Sequence, residues 1–147
     1  MSQDELAPSA NVSRYALDAN AFRNLGFLNL LRDLGPSFEF VIPTIVSLEV
    51  GFFYMNKGIP WEDFLGELQK FRGTCLPWDA IVVPDVLAIA VANRSKLSFR
   101  EHFRDFLIGF QCEQVQAALI TNNKRHFEWS HVSLFTPEEF TQMLGLI

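Results

Sequence analysis

Apolar residues in this chain fall into short runs closed by turn residues, and these runs alternate with longer segments in which apolar positions recur every three or four residues. Arg14 to Leu17 is the first run; it ends on Asp18 and predicts a strand. A helix is predicted from Asn20 to Leu34, with Phe22, Leu25, Leu28 and Leu31 at helical spacing and Gly35-Pro36 as its stop. Phe38 to Ile42 predicts a second strand closed by Pro43, after which Thr44 can cap a helix running to about Tyr54. Asn56-Lys57-Gly58 is a turn. Pro60 suits the first position of a helix to about Phe71, where Trp61, Phe64, Leu65 and Leu68 share a face. The following stretch is mixed, with a strand fragment at either Thr74 to Leu76 or Ile81 to Val83. Pro84 opens a helix to about Asn93, and Ser98 with Glu101 has capping-box spacing for a helix to about Val115. Ala118 to Thr121 is a compact apolar strand, Asn122 to Arg125 a polar turn, and Val132 to Phe135 a last strand. Pro137 then opens a terminal helix to Leu144.

Strands alternating with helices predict an α/β fold: a central, mostly parallel twisted sheet of about four to five short strands with helices on both faces. Residues 14–147 read as a single domain and residues 1–13 as a flexible polar tail, without the apolar stretch of a signal peptide. The most apolar run, Ala80 to Ala92, is broken by Pro84 and Asp85 and is too short to cross a bilayer, so no membrane is expected.

Composition changes this picture in three places. At 147 residues, 49% hydrophobic and 20% charged, the chain can bury a core of its own. Its 15 phenylalanines exceed ordinary use, and Trp61, Phe64 and Phe71 suggest a homodimer face. A net charge of -5 argues against a broad electrostatic nucleic-acid binder, though not against an enzyme that acts on nucleic acid through clustered carboxylates and a metal. Cys75 and Cys112 lack paired spacing, which suggests a reducing, cytoplasmic setting.

In open parallel sheets, ligands bind outside the carboxyl ends of the strands. Asp18 stands at such an end, and Glu49, Asp105 and the Thr121-Asn122-Asn123 turn occupy similar junctions. Phosphodiester hydrolysis needs an activated water and neutralisation of phosphate charge, which one or two hard divalent ions supply when held by carboxylates. Each residue also has a plainer role open to it. Asp18 can be a helix cap, and Glu49 a solvated helix residue despite Ile45, Val46, Leu48, Val50, Phe52 and Phe53 around it. Asp105, among Phe103, Phe106, Leu107, Ile108 and Phe110, can pair on the surface with Arg104 or Arg100, and Asn123 can be a turn residue. Lys124 and Arg125 are candidates for phosphate contact or simply a solvated turn. His102, His126 and His131 lack close ligand spacing, which argues against a zinc site.

The strings Leu17-Asp18-Ala19-Asn20 and Ser47-Leu48-Glu49-Val50-Gly51 resemble the first two motifs of PIN-domain ribonucleases. Asp105-Phe106-Leu107-Ile108-Gly109, followed by Ala118-Leu119-Ile120-Thr121-Asn122-Asn123 and His126-Phe127, resembles that family's acidic residue, helix, buried strand and Thr-x-Asn turn. The resemblance spans about Arg14 to Phe140. It implies a three-layer PIN-like fold and a Mg²⁺- or Mn²⁺-dependent endoribonuclease acting on single-stranded or looped RNA. In the VapC-like branch such a protein is the toxin of a toxin–antitoxin pair, with a small antitoxin protein as partner. Carried over by position, Asp18, Glu49 and Asp105 are the catalytic metal carboxylates, while Asn20, Thr121 and Asn123 support the pocket. Many relatives place a fourth acid near the last turn, where this chain has Asn123 and His126. Two rivals stand beside this reading. A haloacid-dehalogenase-type phosphotransferase with Asp18 as nucleophile needs a second Asp where this chain has Asn20, and a PIN-fold RNA- or protein-binding module needs no working metal site. Without metal, the three carboxylates are expected to repel one another.

Overall fold

The computed structural model describes residues 13–145. The expected tail, apart from Ser13, lies outside them. Five strands, β1 (Ser13–Leu17), β2 (Phe38–Ile42), β3 (Gly73–Cys75), β4 (Ala118–Ile120) and β5 (Leu134–Phe135), form one all-parallel sheet in the order β3-β2-β1-β4-β5. Six helices flank it: α1 (Leu25–Arg32), α2 (Thr44–Asn56), α3 (Trp61–Gln69), α4 (Val83–Ala92), α5 (Phe99–Val115) and α6 (Pro137–Met143). The predicted α/β class is therefore observed, consistent with a three-layer PIN-like arrangement. None of the described helices is long and apolar enough to cross a membrane.

The strand order decides where chemistry can gather. From β1 the chain steps outward through β2 and β3, then returns to lay β4 on the other side of β1. The crevice between β1 and β4 is thus the topological switch point, where ligands bind in open α/β sheets. Register brings Leu17 beside Ile120, and the Asp18 amide donates to the Ile120 carbonyl at 3.0 Å. Asp18 and Thr121 consequently leave the sheet side by side.

Aromatic packing anchors this frame. Phe140 of α6 meets Tyr15 of β1 edge-on at 4.8 Å between ring centres, with Phe27, Phe38 and Phe40 around it. Phe64 and Phe71 are buried in the same main core. They cannot form the homodimer face expected of them, and Trp61, half-buried, packs against Phe64 and Gly51. A second, smaller core joins Val86 and Ala90 of α4 to Phe106 and Phe110 of α5.

Several elements depart from expectation for local reasons. The first predicted helix is split: Asp18 caps a 3-10 turn over Ala19–Arg23, and Asn24 restarts the chain as α1 by accepting from the Phe27 amide at 3.0 Å. A short Asn side chain competes for the backbone in just this way. The ambiguous strand is β3, placed by its pairing of Gly73 with Phe40. Thr44 does not cap α2. Its hydroxyl donates to the Leu76 carbonyl and its amide donates to Gln111. Ser98 makes no side-chain cap, and the capping box forms instead between Thr136 and Glu139 at the start of α6.

Candidate functional site

Asp18 is 1% exposed, and both of its oxygens are engaged. Oδ1 accepts from the Ala19 amide at 2.7 Å and from Arg104 Nη2 at 2.5 Å, while Oδ2 accepts from the Thr121 hydroxyl at 2.7 Å. Asp18 is therefore a cap and also a member of a polar cluster. Thr121 Oγ1 accepts in turn from the Asn123 amide at 3.0 Å, so the turn after β4 is tied to the end of β1.

Glu49 reaches the cluster from α2. Arg104 Nε and Nη2 donate to its two oxygens at 2.6 and 2.9 Å, a two-point grip with the carboxylate partly open to solvent. Asp105, on α5, is buried, and its Oδ1 lies 3.4 Å from Arg104 Nη1. The three carboxylates predicted from sequence thus surround one guanidinium. What holds α2 and α5 at this spacing is a buried bond pair: Gln111 accepts from the Thr44 amide at 2.8 Å and donates to its hydroxyl at 2.7 Å.

Arg104 is the residue the sequence did not single out, except as a surface partner for Asp105. Burial by itself would lower its proton affinity, but hydrogen bonding to Glu49 and the charge of Asp18 outweigh it and hold the guanidinium above its ordinary value. The expected repulsion among bare carboxylates is corrected by this built-in cation. Three carboxylates against one guanidinium still leave formally two negative charges. Farther along α5, burial first, then the charges of Asp18 and Glu113, push the buried Cys112 thiol up.

Asn20 lines a cleft of about 280 Å³ together with Arg23, Glu49, Phe53 and Arg104, and its Oδ1 is buried without a partner among the described residues. The two basic residues of the turn are less committed to the centre. Lys124 pairs with Glu139 of α6 at 2.9 Å, and Arg125 is exposed. That pairing, after the hydrogen bond with the Thr136 backbone, lowers the Glu139 carboxyl below its ordinary value.

Linear spacing misleads about the histidines. His102 and His126 come together on Asp105 Oδ2, with Nδ1 atoms 3.0 and 3.4 Å from it and ring centres 5.2 Å apart. His131 is elsewhere, its amide donating to Glu113. The signal in the sequence was the His102-x-x-Asp105 spacing, which puts both residues on one helix face. The third member arrives only when β4 pairs with β1.

Two glycines of the motif strings have packing reasons. A Cβ on Gly51 would lie 2.7 Å from Trp61 Cζ3, and one on Gly109 would lie 2.5 Å from Trp129 Cη2. Trp129 also packs against Phe106, the rings tilted and 5.3 Å apart between centres, and donates Nε1–H to the His126 carbonyl at 2.8 Å, so Gly109 lets the His126 turn dock on α5. Compared with models of known protein families and with curated proteins, the chain matches none. The likeness to PIN-domain ribonucleases accordingly rests on these motif residues and the α/β topology.

Proposed function

We propose that the chain is a metal-dependent endoribonuclease of the PIN type, hydrolysing phosphodiester bonds in single-stranded or looped RNA. The observation that supports it most is the convergence of Asp18, Glu49 and Asp105, from three separate elements, on one cationic group beside the switch point of the sheet. The donor set fits a hard divalent ion: all carboxylate oxygens, a formal excess of negative charge, and the orphaned Oδ1 of Asn20 on the adjoining cleft. Asp18, Glu49 and Asp105 would hold Mg²⁺ or Mn²⁺. Such an ion, when bound, supplies a water of lowered pKa and neutralises phosphate charge.

The chain's own groups have distinct tasks in this reading. Thr121 fixes the Asp18 carboxylate through Oδ2, and Asn123 fixes Thr121. Arg104, a long side chain on the rim, would release its carboxylates and turn its charge to the phosphate. Arg125 on the exposed turn would meet the RNA backbone, and Lys124 would join it by leaving Glu139. An unpaired strand suits a centre recessed at the carboxyl ends of the central strands, because its phosphates can be drawn in singly. As a toxin of the VapC-like branch, the chain would pair with a second copy and with a small antitoxin protein. Exposed Leu48, Phe52 and Met55 on α2 offer apolar area for a partner.

Arg104 also favours a second reading. A guanidinium that already satisfies three carboxylates suits an RNA- or protein-binding module that has lost its metal. One experiment separates the two: a mixed RNA pool incubated with the protein in Mn²⁺ or in chelator, with Asp18→Asn as control. The enzyme should cleave only in Mn²⁺, and the variant should not cleave. RNA binding without cleavage in either condition would select the module.

A further inference from the structure

We propose that His102, Asp105 and His126 form a binding site for a divalent transition-metal ion of the zinc and cobalt class. This site stands on its own geometry and does not depend on the chain cleaving RNA. One ligand atom from each of the three residues lies within 4.8 Å of the other two. Two of the spacings already have coordination dimensions. With metal–ligand bonds of ~2.0–2.1 Å, neighbouring donors lie roughly 3.3 Å apart around a tetrahedral ion and roughly 2.9 Å apart around an octahedral one. The two imidazole Nδ1 atoms are 3.0 and 3.4 Å from Asp105 Oδ2. One carboxylate oxygen can accept from two imidazoles, and the same gathering of two Nδ1 atoms on Asp105 Oδ2 places three donors at the spacing a shared ion needs.

The two histidine ligand atoms lie within 4.8 Å of each other, so reaching a tetrahedral edge requires a movement of at most ~1.5 Å. His126 can make it, being 46% exposed on a 3-10 turn, whereas His102 and Asp105 are 20% and 6% exposed on α5. The rest of the site is rigid. His102 and Asp105 are three residues apart on one helix, and the His126 turn is held to that helix by Trp129 over Gly109. Two imidazole nitrogens and one carboxylate oxygen suit zinc, cobalt and nickel, while magnesium prefers oxygen donors alone. Three protein ligands leave at least one coordination position for water or an anionic ligand.

The test uses Co²⁺ as the probe on the full chain, followed by visible absorption and by calorimetry, with Zn²⁺ in competition. The expected result is one Co²⁺ per chain, displaced by Zn²⁺ and not by excess Mg²⁺. His102→Ala and His126→Asn should each weaken it by about tenfold or more, since even outer-shell losses reach that range. His126→Asn lies on an exposed turn and leaves the core intact, so loss of binding in that variant cannot be ascribed to unfolding. Asp18→Asn should keep the site, because Asp18 is not a ligand here. Absence of stoichiometric Co²⁺, or binding that both histidine variants retain, would overturn the proposal. Binding lost in Asp18→Asn but kept in the histidine variants would overturn it too, and would place the ion on the carboxylates of the proposed nuclease centre. The RNA assay is independent: a chain that binds Co²⁺ through its histidines and cleaves nothing ends the nuclease reading and leaves this one.

Discussion

Asp105 has two sides, and they solve different electrostatic problems. Its Oδ1 faces a cluster of carboxylates that shares a permanent cation, Arg104, with Asp18 and Glu49. Its Oδ2 faces two imidazoles, groups that can be neutral and need no counter-ion to be tolerated near a buried acid. Burying a carboxylate without a partner costs several kcal/mol, so in the metal-free chain the guanidinium offsets much of the cost of holding Asp18 and Asp105 beside Glu49. The second can wait for a cation. The carboxylate side therefore exchanges one positive group for another if it binds metal, whereas the imidazole side has no arginine on its Asp105 oxygen to displace.

The largest effect is expected from removing the built-in cation. Arg104→Ala should destabilise the metal-free protein by about 2–4 kcal/mol, because it leaves Asp18 and Asp105 as uncompensated buried charges, discounted for the partial exposure of Arg104 and Glu49. Mn²⁺ should then raise the melting temperature of the variant more than that of the parent, since the guanidinium no longer competes for the same oxygens. A variant that melts like the parent in chelator would show that Arg104 is ornamental. A smaller gain from Mn²⁺ than in the parent would show that Arg104 assists the ion and does not exclude it.

What the sequence made legible, and what it hid, follows the same division. The strands, their parallel arrangement and the position of Asp18 at a strand end were readable because each is encoded in one local run of apolar residues with a polar stop. Thr121 joined Asp18 by the same logic. Arg104 was hidden because a basic residue beside Asp105 on a helix looks like a solvated ion pair. Its partners Asp18 and Glu49 are 86 and 55 residues away, and only the seating of α5 against α2 through Gln111 and Thr44 brings them within reach. The histidine pair was hidden for the complementary reason: His102 and His126 are far apart along the chain, and β4 supplies the missing proximity. Local capping misled where two segments carried the same spacing. Ser98 with Glu101 and Thr136 with Glu139 both fit a capping box, and only the second pair closes it. Aromatic residues misled in the opposite direction, since Phe64 and Phe71 serve the core of a single chain.

A subtler change should separate the two sides of Asp105 without removing a charge. Gly109→Ala forces Trp129 to move, because the new Cβ would stand 2.5 Å from its ring. Overpacking of this kind costs ~1–3 kcal/mol, and replacing a helical glycine returns roughly 1, so the net loss of stability should be about 0–2 kcal/mol. The informative quantity is Co²⁺ affinity, expected to fall as Trp129 drags the His126 turn away from α5, while stabilisation by Mn²⁺ at the carboxylates stays as in the parent. Equal losses of both would mean that one ion serves both sides of Asp105 as a single site.

The smallest effect on the fold is expected at the turn that both clusters border. Lys124 is paired with Glu139 across exposed surface, and Arg125 stands open to solvent, so changing both to Ala should shift the melting curve too little to resolve. Their effect should appear in RNA affinity instead. Each lysine or arginine that neutralises a phosphate releases counter-ions, and the slope of log affinity against log salt falls by roughly 0.7 per contact on a single strand. If both residues meet the backbone, the double variant should bind mixed RNA more weakly at low salt, with a slope shallower by about 1.4. If Lys124 stays with Glu139 in the complex, Arg125→Ala alone should reproduce the whole change. An unchanged affinity and slope would remove the turn from the RNA path and leave Arg104, swung out from its carboxylates, as the basic group at the centre itself.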